Sequence, residues 1–279
     1  MAVRRLYLLA AWALLLSGCG PRPVGPTPTA QPVASVRPTV TSAPAPAADN
    51  ATPKENGGER PPEAIAIERP GPGSSAVSPL HISGISDPTF ENHLGVRLMG
   101  MDGSLIAEGS GQIEAPIGER GPFQASLDFE VRSKQPALLQ VFDSSARDGG
   151  IIHLNSVVVQ LLPSGPADVQ SAPIESEHIQ ILAPAAGEVI SAGHVTVRGF
   201  GIGSFEGNLV VELADASGNQ LSIKPVTVDA PEMGEPGPFA VTLSYSVPEE
   251  QPGRVVIRDP SPAFAGAVHL ASVEVQLQP

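Results

Sequence analysis

Cysteine occurs once in the chain, aromatic residues make up 4% of it, and Lys and Arg together number 16 against 29 Asp and Glu. Each shortage excludes something. A single cysteine, Cys19, leaves no partner for a disulfide and no thiolate cage for a metal, so the folded part must hold by packing. Few aromatics leave the core to Val, Ile, Leu and Ala, which favours strands over broad helices. A formal net charge of −13 lacks the clustered cations that phosphate binding requires, which excludes nucleic acid as a partner. The sequence also has no nucleophile elbow, zinc-ligand spacing, phosphate loop or EF-hand, so it predicts no catalytic residues, no metal site and no cofactor. Proline (31) and glycine (29) are abundant and break the chain often.

The N-terminus reads as an address. Arg4 and Arg5 precede an apolar stretch from Leu6 to Leu16, too short to span a bilayer comfortably, and Leu16-Ser17-Gly18-Cys19 follows at once. This resembles the lipobox of bacterial lipoproteins. The resemblance implies that residues 1–19 form a signal, that Cys19 is lipidated, and that the membrane is a partner through it. The expected location is the cell membrane, lipid-anchored and facing outside the cytoplasm, at the cell surface or in the periplasm. Residues 20–62 are rich in Pro, Thr and Ala without apolar periodicity, which predicts a disordered linker. In polyproline II, at about 3.1 Å per residue, roughly 40 residues would reach about 130 Å. Asn50-Ala51-Thr52 matches a glycosylation sequon, but chance accounts for it in a bacterial chain.

The remainder repeats itself. Leu80-His81-Ile82-Ser83-Gly84 aligns with Val195-Thr196-Val197-Arg198-Gly199, and Phe90-Glu91 with Phe205-Glu206. Gly121-Pro122-Phe123 aligns with Gly237-Pro238-Phe239, Asp143 with Asp259, and His153-Leu154 with His269-Leu270. In the second unit, short strands are predicted over 179–182, 195–199, 209–214, 221–228, 239–247, 255–259 and 268–277. Alternation is clean in Leu209, Val211, Leu213 and in Phe239, Val241, Leu243, Tyr245, Val247. Seven such strands per hundred residues predict an all-β chain, with two tandem immunoglobulin-like antiparallel β-sandwiches over 63–162 and 177–279 joined by a linker at 163–176. Two separate cores are expected, not one continuous sheet. Phe90, Phe205, Phe123 and Phe239 are expected as core anchors. In the last strands the apolar parity switches after Leu154 and Leu270. That predicts a bulge near Asn155-Ser156 and Ala271-Ser272, with His153 and His269 on the outer face of an edge strand.

Both units resemble the immunoglobulin-like domain of bacterial spore germination proteins. The residues that carry this are Pro70, the Val77-Ser78-Pro79 entry, Gly84, Phe90-Glu91, Asp102-Gly103, Gly121-Pro122-Phe123, and Asp143 with Ser145 before Asp148-Gly149. The second copy keeps Gly199, Phe205-Glu206, Gly218, Gly237-Pro238-Phe239, Asp259 and Ser261, but lacks the Ser-Pro entry and the Asp-Gly pair. The resemblance implies a secreted binding or assembly module with no catalytic residues, and a fold shared by many functions does not by itself choose a germination role. In such a fold, loops gathered at one end would carry Glu91, Asp143, Asp148, Glu206 and Asp259, the candidate interaction site. The reading is a non-catalytic, membrane-anchored lipoprotein whose domains contact an envelope protein or wall polymer. The alternative is a solute-binding or enzyme-accessory lipoprotein with a pocket or calcium site in the acidic loops.

Overall fold

The structure, a computed structural model, describes residues 60–279. Cys19, Asn50 and nearly all of the expected linker lie outside them. Among the described residues, no helix is long and apolar enough to cross a membrane.

The first repeat comprises β1 (Ile65–Arg69), β2 (Ser75–Ala76), β3 (Leu80–Ser86), β4 (His93–Gly100), β5 (Leu105–Ile113), β6 (Gly121–Leu127), β7 (Gln135–Ser144) and β8 (Ile151–Leu161). The second comprises β9 (Ile179–Ala183), β10 (Val189–Ile190), β11 (His194–Gly201), β12 (Asn208–Ala214), β13 (Gln220–Thr227), β14 (Gly237–Ser244), β15 (Gln251–Pro260) and β16 (Ala267–Leu277). Each repeat packs a three-stranded layer, β1-β3-β6 or β9-β11-β14, against a four-stranded one, β5-β4-β7-β8 or β13-β12-β15-β16. In the first repeat, pairing of β5 with β6 over Gly111–Ile113 also ties the two layers together.

Alternation sets the burial. Leu209, Val211 and Leu213 on β12 have no solvent exposure, while Asn208, Val210 and Glu212 between them are partly exposed. Each repeat closes its own apolar cluster: Leu94, Leu98, Phe123 and Leu139 belong to one, and Leu209, Phe239, Leu243 and Ile257 to the other. The seven strands read in the second unit are all present. The sequence missed β10, a two-residue piece pairing parallel with β16, as β2 pairs with β8. Two residues after a proline carry no period to detect.

The repeated glycine and phenylalanine form one packing device. Gly84 pairs across the strands with Phe123, and Gly199 with Phe239. A Cβ on Gly84 would lie 2.0 Å from the Ala66 carbonyl oxygen and 2.8 Å from the Phe123 ring; on Gly199 it would lie 2.2 Å from the Gln180 oxygen and 2.7 Å from Phe239. The bare glycine makes room for both the neighbouring backbone and the aromatic ring. Phe123 and Phe239 are therefore core anchors as expected, whereas Phe90 and Phe205 are not. They sit at 62% and 47% exposure, ahead of Glu91 and Glu206, whose φ angles are positive.

Two further expectations are corrected. The ladder is unbroken at Asn155-Ser156 and at Ala271-Ser272. The irregularities fall earlier in these strands, opposite Asp143/Ser144 and Asp259/Pro260, where Ile152 and Val268 are the extra residues. Secondly, the sheets of the two repeats are joined: β8 pairs antiparallel with β16 through Leu154↔Leu270 and His153↔Ala271, although the two cores stay separate. The linker at 163–176 is pinned by backbone hydrogen bonds. It runs back along the first repeat, where Ser75 and Asp168 exchange backbone hydrogen bonds, Gly71 N donates to Gln170 O and Ala172 N to Glu68 O.

Candidate functional site

The seam between the repeats is built on their internal symmetry. β8 and β16 are equivalent strands of equal length, so Leu154 and Leu270 occupy the same repeat position and pair with each other. A second self-pairing occurs ahead of β1 and β9, where Pro62 bridges Ser176. Glu63 N donates to Glu175 O at 2.9 Å and Glu177 N to Pro61 O at 2.8 Å. Side chains reciprocate as well: Ala64 N donates to Glu177 Oε2 (2.9 Å), and His178 N to Glu63 Oε2 (3.0 Å). Ser156 Oγ donates to Val268 O, and Ser272 Oγ to Ile152 O. The two halves of one chain thus meet as the subunits of a two-fold dimer would, each presenting the same patch. This explains the parity switch. Leu154 and Leu270 face outward from their own cores yet are 1% and 7% exposed, because the other repeat covers them.

His153 and His269 are therefore not surface histidines on an edge strand. Both reach Glu63 Oε1 through Nε2, at 3.0 Å and 2.9 Å. Glu177 completes the group, with Oε1 at 3.8 Å from His153 Nε2. Glu63, Glu177 and His269 are buried and His153 is nearly so. Burial alone would raise the Glu63 carboxyl, but the hydrogen bonds from both imidazoles outweigh it and hold the group well below the usual carboxylate range. For His153, burial favours the neutral ring, whereas the Glu63 hydrogen bond and the Glu177 charge raise it above its ordinary value. Burial pushes His269 down to about 4. It pushes Glu177 up, with the Glu63 charge adding to the effect.

The symmetry is incomplete. His178 stacks on His269, centroids 4.5 Å apart, and its Nε2 lies 3.0 Å from Asp259 Oδ2. Asp259 is fully buried and also accepts from the Ser204 backbone N–H and hydroxyl. Ala64 stands at the first repeat's counterpart of His178. Without that partner, Asp143 is half-buried and its carboxyl is pushed up by desolvation.

A second clamp crosses the seam. Asp148 of the first repeat accepts from Arg254 of the second, at 3.1 and 3.2 Å, and from Gly150 N at 3.0 Å. Arg147 lies 3.4 Å from Asp148 and pairs with Glu274, which also accepts from Arg254. Burial opposes the Asp148 charge, but the Gly150 and Arg254 hydrogen bonds win and lower it to about 2. A carboxyl lowered on folding stabilises above its unfolded value, and that contribution is lost as pH falls from about 4 through about 2. Urea midpoints of the native chain should therefore drop across this window, while Asp148→Asn should be less stable at neutral pH and lack that part of the drop.

The five acidic residues read as one loop-end site thus have separate roles. Glu91 and Glu206 sit exposed on turns, Asp143 lies beside His153, and Asp148 and Asp259 each hold a contact between or within repeats. Glu63 and Glu177 were missed. Their only signal was equivalent placement two residues ahead of the first strand of each repeat.

A cleft of about 370 Å³ opens onto this region, with Glu63, Asn155, Glu175, His178 and His269 among its walls.

No curated protein sequence matches the chain significantly. Among solved structures, dimeric latent PorU from Porphyromonas gingivalis aligns with 82% of this chain and 21% of its own, at 14% identity and a TM-score of 0.29. The chain thus spans about a fifth of that protein. CBD12 from CALX1.2 aligns with 76% of this chain and all of its own, at 10% identity and a TM-score of 0.19. A G168D mutant of the enterotoxigenic E. coli adhesin CfaE aligns with 78% of this chain and 84% of its own, at 9% and 0.19. The immunoglobulin-like domain of bacterial spore germination matches residues 64–150 and again 178–263. With both repeats matched, the chain belongs to that family and carries its domain twice.

Proposed function

We propose that this protein is a non-catalytic interaction module, anchored to the membrane through lipidated Cys19 and exposed outside the cytoplasm, where its paired repeats contact an envelope protein or wall polymer. The observation that carries this reading is the seam. Reciprocal backbone pairing at Leu154/Leu270 and Pro62/Ser176 joins two immunoglobulin-like sandwiches into one body. A fixed pair presents a broad surface in one orientation, and it loses less conformational freedom on docking than two hinged domains would. The acidic surface keeps such a module soluble and directs it to neutral or cationic partners. The lipobox resemblance supplies the anchor, since several acyl chains hold a protein to a bilayer where one would not.

Fractionation of cells expressing the native chain and Cys19→Ser tests the anchor. Recovery of the native chain with membranes, labelled by a fatty-acid probe, and release of Cys19→Ser into the soluble fraction is the expected result. Equal distribution of the two would overturn it. Co-sedimentation of the purified chain with isolated envelopes tests the module, and binding to neither wall polymer nor envelope protein would overturn that part.

A further inference from the structure

We propose that Glu63, His153, Glu177 and His269 form a binding site for one divalent transition-metal ion, of the zinc class, which clasps the two repeats together at their symmetry axis. Each residue offers one ligand atom, and these atoms all lie within 4.8 Å of one another. A tetrahedral ion with ligands about 2.0–2.1 Å away requires ligand atoms about 3.3 Å apart. Three of the six separations bracket that edge: 2.9 Å and 3.0 Å from Glu63 Oε1 to the two imidazoles, and 3.8 Å from Glu177 Oε1 to His153. The wider edges, up to 4.8 Å, would have to close by as much as about 1.5 Å as an ion drew the four donors in.

An independent observation points the same way. Glu177 is 7% exposed, yet its Oε1 is a buried oxygen with no hydrogen-bond partner, on the side of the carboxylate turned towards His153. Its other oxygen is occupied by Ala64 N. Leaving such an acceptor unsatisfied is destabilising, the more so for a charged group. A dication would satisfy it and neutralise both carboxylates. Two imidazoles with two carboxylates select a borderline cation over magnesium, which prefers an all-oxygen shell.

The ligands also come in pairs: Glu63 and His153 from the first repeat, Glu177 and His269 from the second. Four protein donors leave no open position, which marks a structural site and not a catalytic one. The adjoining cleft, with Glu63 and His269 in its walls, gives an ion a way in. The metal would therefore act as a cross-link between halves of a chain that has no disulfide. This inference stands on the seam alone, independently of the anchor and of any partner.

The test is calorimetric titration of the full chain, stripped with EDTA in detergent, with ZnCl2 near neutral pH, alongside thermal melts. One ion should bind per chain and raise the melting temperature, while MgCl2 at the same concentration should do neither. Glu177→Gln keeps the side chain's size and an oxygen for Ala64 N, and should weaken zinc binding by about tenfold or more. A native chain that takes up no zinc, an equal response to magnesium, or unchanged zinc binding in Glu177→Gln would each overturn the proposal. Should Glu177→Gln fail to fold, anomalous scattering from native crystals grown with ZnCl2 decides. A peak between His153 and His269 Nε2 supports the site; a peak elsewhere or none refutes it.

Discussion

Replacing Glu63 by alanine is expected to cost about 3–5 kcal/mol, the range for removing one partner of a buried ionic group. Glu63 is 3% exposed and accepts three hydrogen bonds, from His153, His269 and the His178 backbone. Its loss strands three donors at once, one of them fully buried and two partly so. His153 would lose the hydrogen bond that chiefly opposes desolvation, so its imidazole pKa should fall. Because His178 and His269 belong to the second repeat, the damage should reach both halves of the chain. Urea denaturation followed in both repeats checks this: one shared loss of midpoint is expected, and Glu63→Gln should lose less because it keeps an acceptor. A loss confined to the first repeat, or below about 1 kcal/mol, would contradict the seam.

Gly84→Ala should cost about 3 kcal/mol or more, at the upper end of overpacking effects. The new methyl would meet the Ala66 carbonyl oxygen at 2.0 Å, and a backbone atom within a paired strand cannot swing aside as a side chain can. Gly199→Ala should behave alike, since Gln180 O stands at 2.2 Å. Gly118→Ala is the informative comparison. Gly118 has φ +87° with nothing within 4 Å of the added carbon, so only backbone strain of about 1–2 kcal/mol is expected there. Chemical denaturation of the three variants checks the ranking. Comparable losses for Gly84→Ala and Gly118→Ala would mean that close approach is not what the repeated glycine serves.

These particular residues also show how far the sequence could be read. Strands such as β12 and β14 were legible because one face meets a core and the other meets water, which writes a period of two into Leu209, Val211 and Leu213. The Gly-Pro-Phe repeat was visible too, but its purpose was not, since Gly84 and Phe123 meet only once β3 and β6 are paired. The seam was hidden for a definite reason. An outer face covered by a second repeat bears apolar residues just as a core face does, so Leu154 and Leu270 looked like a change of face. A buried histidine looks like an exposed one when its partner, Glu63, is ninety residues away in the chain. Phe90 and Phe205 misled in the opposite direction, because a repeated aromatic suggests a core wherever it stands. The acidic loop residues were grouped by fold analogy, which locates loop ends but not which of them a neighbouring repeat will occupy.

The central claim is that two copies of one sandwich form a single cooperative body across a two-fold seam. Differential scanning calorimetry of the chain at neutral pH tests it most directly. One transition is predicted, with calorimetric and van't Hoff enthalpies equal. Two resolved transitions, each carrying about half the heat and only one of them moved by Glu63→Ala, would contradict it.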